Sequence, residues 1–252
     1  FGYDLAYSVA IRGSFLGLPC TKGKVTIFEC EEPKATISRR LEQVGLDEYN
    51  PDWERALDND LIRIETDFSI EKSLPYLKKV VRRHNPSLII FDSLRAISSD
   101  IGVSENSPEI SKYIYALQKV LIQLNVSGIL IHHNKKDSRA LGIEGMSGSL
   151  SIGGANDGAI LLYPNKTESD KLGAQVVDIE TVPRDGFPVA YTIQRDKDDY
   201  GAVYYKLIQE RKVNPEVVRC QKRILRLLCQ NLDIEFSFNE LIDQLRAINL
   251  GD

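Results

Sequence analysis

The chain has 252 residues, 42% hydrophobic and 27% charged, with a formal net charge of −4. That mixture supplies enough apolar material for a sizeable core and excludes a disordered, collagen-like or low-complexity chain. The slightly acidic balance also excludes a protein that grips nucleic acid over its whole surface, so any such contact must come from local patches. Apolar runs such as "SLIIF" and "GAILLY" are too short to span a bilayer, and no membrane partner is expected. The four cysteines, Cys20, Cys30, Cys220 and Cys229, form no CxxC pair. They read as buried thiols of a reducing compartment, which points to the cytoplasm.

The chain opens inside a helix. Phe1, Leu5 and Val9 fall at four-residue steps, Ala6 and Ala10 lie beside them, and Gly13 suits the position just past the end. No capping Ser, Thr, Asp or Asn stands ahead of it. Val25, Ile27 and Phe28 in "KGKVTIFEC" predict a strand. In "EEPKATISRRLEQVG", Pro33 suits the first helical position, Glu31 and Glu32 sit at the positive end of the dipole, and Gly45 closes the helix. "DLIRIE" predicts a second strand, and Ser73 to His84 a helix with Leu74, Leu77, Val80 and Val81 on one side. "PSLIIFD" is a continuous apolar run, as expected of a strand buried on both faces. Ser107 and Pro108 then start a long helix striped by Ile110, Ile114, Leu117, Leu121 and Leu124, and "SGILIHH" follows as a strand. This alternation is the pattern of βαβ units and a parallel, doubly wound sheet. From Gly158 onward, "GAILLY", "QVVDIET", "VAYTIQ" and "AVYYKLI" read as antiparallel strands with little helix between them, added to the edge of the same sheet. Residues 214–252 read as helices, the second opened by a capping box of Ser237 and Glu240.

Four constellations could carry chemistry. Asp92 ends a buried apolar strand, where open α/β sheets bind ligands, and a carboxylate there suits a Mg²⁺ ion beside a phosphate; it also reads as an Asp that starts a turn. Glu29, Glu31 and Glu32 cluster where a strand meets a helix. One could orient an attacking water, or all could simply face the helix dipole. His132 and His133 end the next strand with side chains on opposite sides, which makes joint metal ligation awkward; one could bond a phosphate or water, the other serving structure. Lys135, Lys136 and Arg139 lie in a Gly-rich stretch from Asn134 to Ser149 that could touch nucleic-acid phosphates or stand solvated.

The order of these pieces resembles the RecA-like ATPase core, and more narrowly the RepA-type hexameric replicative helicases among the AAA-family ATPases. "SFLGLPCTKGKVTIFECEEPKATISRRLEQVG", "PSLIIFDSLRAI" and "GILIHHNKK" carry the resemblance, supported by "SGSLSIGGANDGAILLY"; it covers about Phe1 to Leu207. It implies an α/β P-loop NTPase core with a mostly parallel sheet and antiparallel edge strands over residues 1–212. Residues 213–252 form a small helical segment that looks like a truncated winged helix. In such proteins the opening helix follows the loop GxxxxGK[ST]. "TKGKVT" does not match that pattern, so the chain is expected to begin just after it, through omission from this fragment, deletion, or a true pseudo-ATPase. The resemblance makes Glu31 the catalytic glutamate with acidic Glu32 beside it, Asp92 the Mg²⁺-side aspartate followed by Ser93, and His133 with His132 the sensor of the γ-phosphate. Arg184 in "TVPRDG" matches an arginine finger, although Val182 stands where a lysine is usual; it also reads as an Arg beside a hairpin turn. The resemblance implies an ATP- and Mg²⁺-dependent DNA helicase, a homo-oligomer forming a hexameric ring, whose loop with Lys135, Lys136 and Arg139 follows single-stranded DNA. The alternative is a RecA-like regulatory module that senses nucleotide without translocating.

Overall fold

The opening helix forms as its stripe predicts. In the computed structural model, which describes residues 1–44, 59–134, 147–149, 151–198 and 201–211, Gly2–Tyr7 is α-helical (α1) and runs on as a π-helical turn over Ser8–Arg12. Gly13 ends it at φ 79°, the left-handed conformation expected of that glycine. A small hairpin of β1 (Ser14–Phe15) and β2 (Leu18–Pro19) follows.

The most apolar runs then assemble side by side. β3 (Val25–Glu29), β4 (Ile62–Glu65), β5 (Leu88–Asp92) and β6 (Ser127–Leu130) form a parallel sheet in the order β4-β3-β5-β6. Helix α2 (Lys34–Gln43) follows β3, and α3 (Leu74–His84) follows β4. The short α4 (Leu94–Ile97) and long α5 (Ile110–Gln123) connect β5 to β6. Period-two alternation divides the inner strands between two cores. Val25, Ile27, Leu88 and Ile90 pack under Tyr3, Ala6, Tyr7, Ala10 and Ile11 of the opening helix. Phe28, Ile89 and Phe91 face the other way, against Leu77, Val80 and Val81 of α3 and Ile110, Ile114 and Leu117 of α5. Phe28 and Phe91 stack with ring centroids 5.3 Å apart, and Phe68 closes over both. Thr26 and His84 are buried on this side as a satisfied pair: the hydroxyl donates to Nδ1 at 2.7 Å and Nε2 donates to the Asp60 carbonyl at 2.6 Å.

α5 begins at Ile110 rather than at Pro108. The Ser107 carbonyl accepts from the Ile110 N–H at 3.2 Å, so the predicted first turn closes as a tighter three-residue turn.

The later strands β7 (Gly158–Pro164), β8 (Val176–Pro183), β9 (Ala190–Lys197) and β10 (Val203–Arg211) are antiparallel as read, but they form their own sheet in the order β10-β9-β8-β7. Among the described residues no ladder joins β7 to β6. The two edges face each other across a cavity of about 610 Å³, lined by Ile129, Ile131, Ile160, Leu162, Leu121 and Phe1. Direct pairing needs strands about 4.7–4.9 Å apart, and the cavity keeps these edges from it. Between β7 and β8 lies a short helix, α6 (Ser151–Gly154) having preceded β7: this α7 (Lys166–Leu172) is capped by Asn165, whose side chain accepts from the Glu168 N–H at 3.1 Å. The antiparallel sheet is tied to α1 by Asp4, whose carboxylate accepts from Arg12 at 2.8 Å and from the Tyr205 N–H at 3.1 Å. Among the described residues no helix is long and apolar enough to cross a membrane. The predicted helices of residues 213–252 lie outside the described residues.

Candidate active site

The carboxyl ends of β3, β5 and β6 lie together at one edge of the parallel sheet. Glu29 and Asp92 are partners in register across β3 and β5. Three backbone bonds hold the emerging chains: the Cys30 N–H to the Asp92 carbonyl at 2.8 Å, the Ile131 N–H to Phe91 at 2.9 Å, and the Leu94 N–H to Ile131 at 2.9 Å. The predicted acids, the following serine and one histidine therefore converge.

Glu31 is at the centre of this group. Its carboxylate accepts a short hydrogen bond from the Ser93 hydroxyl and faces His133 Nε2 at 3.4 Å. The Ser93 bond, with help from His133, holds the Glu31 carboxyl below its ordinary range, against a smaller opposing effect of burial. Asp92 is pushed the other way, up to about 6, first by burial and then by the charges of Glu29 and Glu31. Two neighbouring carboxyls thus have their proton affinities driven apart. Ser93 is fully buried and stands at the N-terminal boundary of α4, its hydroxyl turned to Glu31 rather than to the helix. Glu32 lies at the rim and pairs with Arg40 at 2.6 Å.

His132 points elsewhere; β6 ends at Leu130, so both histidines lie just past the strand that was expected to include them. His132 Nε2 donates to the Ser147 carbonyl at 2.7 Å, and the Ser147 N–H donates to the His133 carbonyl at 2.9 Å. The stretch between Asn134 and Ser147 therefore leaves and returns at one point beside Glu31. His132 Nδ1 is buried with no partner among the described residues. Lys135, Lys136 and Arg139 lie outside the described residues. Arg184 is not gathered into this group. It donates to the Gly154 carbonyl at 2.9 Å and lies 3.7 Å from Asp157, with half of its side chain exposed.

Three participants carry no separate role in the sequence reading. Glu29 was one acid among three, and Tyr3 and Arg40 were unremarked; all three meet beneath the Glu31–Glu32 turn. The available signal was position: Glu29 is the single charged residue of a fully buried strand, and it lies level with Asp92.

Among the described residues no three His, Cys, Asp or Glu side chains form a metal cage. The Asp92 carboxylate is the group that suits a Mg²⁺ ion coordinated mostly by water and phosphate, and the crowded negative charge around it favours a cation there.

A family model described as an AAA domain matches residues 1–139, more than half of the chain. The fold is similar to the crystal structure of a KaiC-like protein from the hyperthermophilic archaeon Pyrococcus horikoshii OT3, with a TM-score of 0.54. The two chains are 15% identical, and the match covers 74% of this chain and 76% of that one. No curated protein matches. The shared architecture is the RecA-like α/β fold.

Proposed function

Since the chain belongs to the AAA-domain family of P-loop ATPases, we propose that it is an ATP-hydrolysing motor of the RepA-type helicase class, acting as a hexameric ring on single-stranded DNA during replication. The observation that carries this reading is the Glu31 carboxylate, directed at Ser93 and His133 beside Asp92 at the carboxyl edge of the sheet. In this mechanism water attacks the γ-phosphorus of ATP, a new P–O bond forms, and the bond to the β-phosphate oxygen breaks. Glu31, kept ionised by Ser93, orients that water and accepts its proton. Asp92 would hold the Mg²⁺ ion, which would neutralise charge on the phosphates, while Ser93 positions Glu31. His133, bonded to Glu31 on one side and to the root of the basic loop on the other, responds to the loss of the γ-phosphate. Arg184 serves the nucleotide of a neighbouring subunit, and Lys135, Lys136 and Arg139 contact the DNA backbone.

The phosphate-binding loop enters this reading only through the resemblance, and the tests below use the protein that carries it. A second reading, a nucleotide-sensing module without turnover, is favoured by one contact, the hold of Gly154 and Asp157 on Arg184.

The test is phosphate release by the protein with its phosphate-binding loop, compared with Glu31→Gln. The variant is expected to bind ATP and to lose about 10²–10⁴-fold in turnover. Equal turnover removes Glu31 from the chemistry. ATP binding without turnover in the parent selects the sensing module.

A further inference from the structure

Glu29 has no chemical role in the mechanism above, yet it is the best-connected carboxylate of the site. Its side chain has 0% exposure. Oε2 accepts from the Tyr3 hydroxyl at 2.8 Å and lies 3.6 Å from Arg40 Nη1. Oε1 faces the backbone N–H groups of Glu31 and Glu32 at 3.4 and 3.3 Å. Arg40 also reaches Glu32 at 2.6 Å. The donors come from three segments: α1, the turn after β3, and α2.

A buried carboxylate is strongly disfavoured unless donors converge on it. Filling the space under a turn needs only a small or apolar side chain. A carboxylate there adds direction, because it is stable only when the two N–H groups of the turn, the tyrosine and the arginine all aim at it. Those N–H groups belong to Glu31 and to its neighbour, so the grip on them fixes where the Glu31 side chain starts and keeps it turned toward Ser93 and His133. Glu29 itself is enclosed by these donors and shielded from water, which excludes it as the general base.

We propose that Glu29 is a positioning residue, which holds the Glu31–Glu32 turn in its productive orientation and ties it through Tyr3 to α1 and through Arg40 to α2. The proposal rests on the ATPase reading for its catalytic consequence, but its structural half stands without it. Glu29→Gln is nearly isosteric and keeps one acceptor oxygen; it loses the charge that draws Arg40 and gathers all four donors. Tyr3→Phe and Arg40→Gln each remove one donor from the outside and leave the buried acid in place.

Two measurements decide the matter, made on the protein with its phosphate-binding loop. The first is steady-state phosphate release across ATP concentrations. Glu29→Gln is expected to lose roughly tenfold to a hundredfold in kcat with KM within about threefold of the parent, and the two donor variants a smaller loss in the same sense. The second is amide hydrogen exchange without nucleotide, expected to speed up at Glu31 and Glu32 while Val25 to Phe28 stay protected. A kcat equal to the parent's in all three variants overturns the proposal. So does a loss of kcat accompanied by faster exchange throughout β3, which marks general destabilisation. If Glu29→Gln does not fold, the two donor variants carry both measurements. If the parent hydrolyses no ATP, the ATPase reading fails and the exchange measurement alone accepts or rejects the grip on the turn.

Discussion

Replacing Asp92 with asparagine should make the metal-free protein more stable, which is the opposite of what removal of a buried charged residue usually does. Burial, together with Glu29 and Glu31, raises the Asp92 carboxyl from 3.8 to about 6. About two pK units, at 1.36 kcal/mol each, set an upper bound of about 3 kcal/mol on the penalty carried by the ionised form in the folded state. Water reaches part of the side chain, so the penalty in practice is about 1–3 kcal/mol. The folded state binds this proton more tightly than the unfolded state does. The contribution of Asp92 to stability is therefore fully present below pH 3.8 and is lost as the pH rises through about 6. Asparagine has the same shape and never ionises. Urea denaturation of parent and Asp92→Asn in EDTA, at several pH values from about 4 to about 8, should give curves that nearly coincide at the acid end. They should separate by about 1–3 kcal/mol in favour of the variant at the alkaline end. With Mg²⁺ and ATP the order should reverse, because only the parent gains from binding. A difference that is constant across pH, or a variant less stable at the alkaline end, refutes the electrostatic account of this site.

Two other predictions test the scaffold and the DNA reading. Phe91→Ala removes a ring stacked on Phe28 and leaning on Phe68, and should cost about 3–5 kcal/mol by urea denaturation; a cost below about 1 kcal/mol would falsify the packing described for that face. Replacing Lys135, Lys136 and Arg139 together with alanine should weaken single-stranded DNA binding about equally for all sequences, and reduce the slope of log affinity against log salt by about 0.7 per lost contact. Equal slopes for parent and variant, titrated with a non-hydrolysable ATP analogue, exclude the loop from DNA binding.

The parallel sheet was legible because strands buried on both faces leave apolar runs, unbroken in "LIIF" and interrupted only by Thr26 in "VTIF", set between amphipathic helices. The separation of the antiparallel strands into a second sheet was not legible. "GAILLY" reads as a strand whichever neighbour it has, and nothing in its own side chains tells β8, its observed partner, from β6. The short helix Lys166–Leu172 was missed because it has no apolar stripe and no buried residue; its start is set by Asn165 alone.

At the site, one rule brought Asp92, the glutamate cluster and the histidine pair to one edge, because polar residues that follow a parallel strand emerge at the ligand edge; the choice of Glu31 and His133 came from the resemblance. That rule locates residues without assigning them protonation states. The difference between Glu31, held low by a serine hydroxyl, and Asp92, raised by burial and two neighbouring carboxylates, comes from cross-strand register and from a hydrogen bond between residues 31 and 93. Neither is written in local spacing. The same holds for the two histidines. Both lie past the end of β6 at Leu130, and only the return of the chain at Ser147 makes His132 the clasp of the loop root and leaves His133 facing Glu31. Adjacent residues of the same type thus divide two tasks, one that closes the loop and one that meets the carboxylate. The division follows from a contact fifteen residues away in sequence, so a reading confined to "ILIHHNKK" could pair the histidines but could not tell them apart.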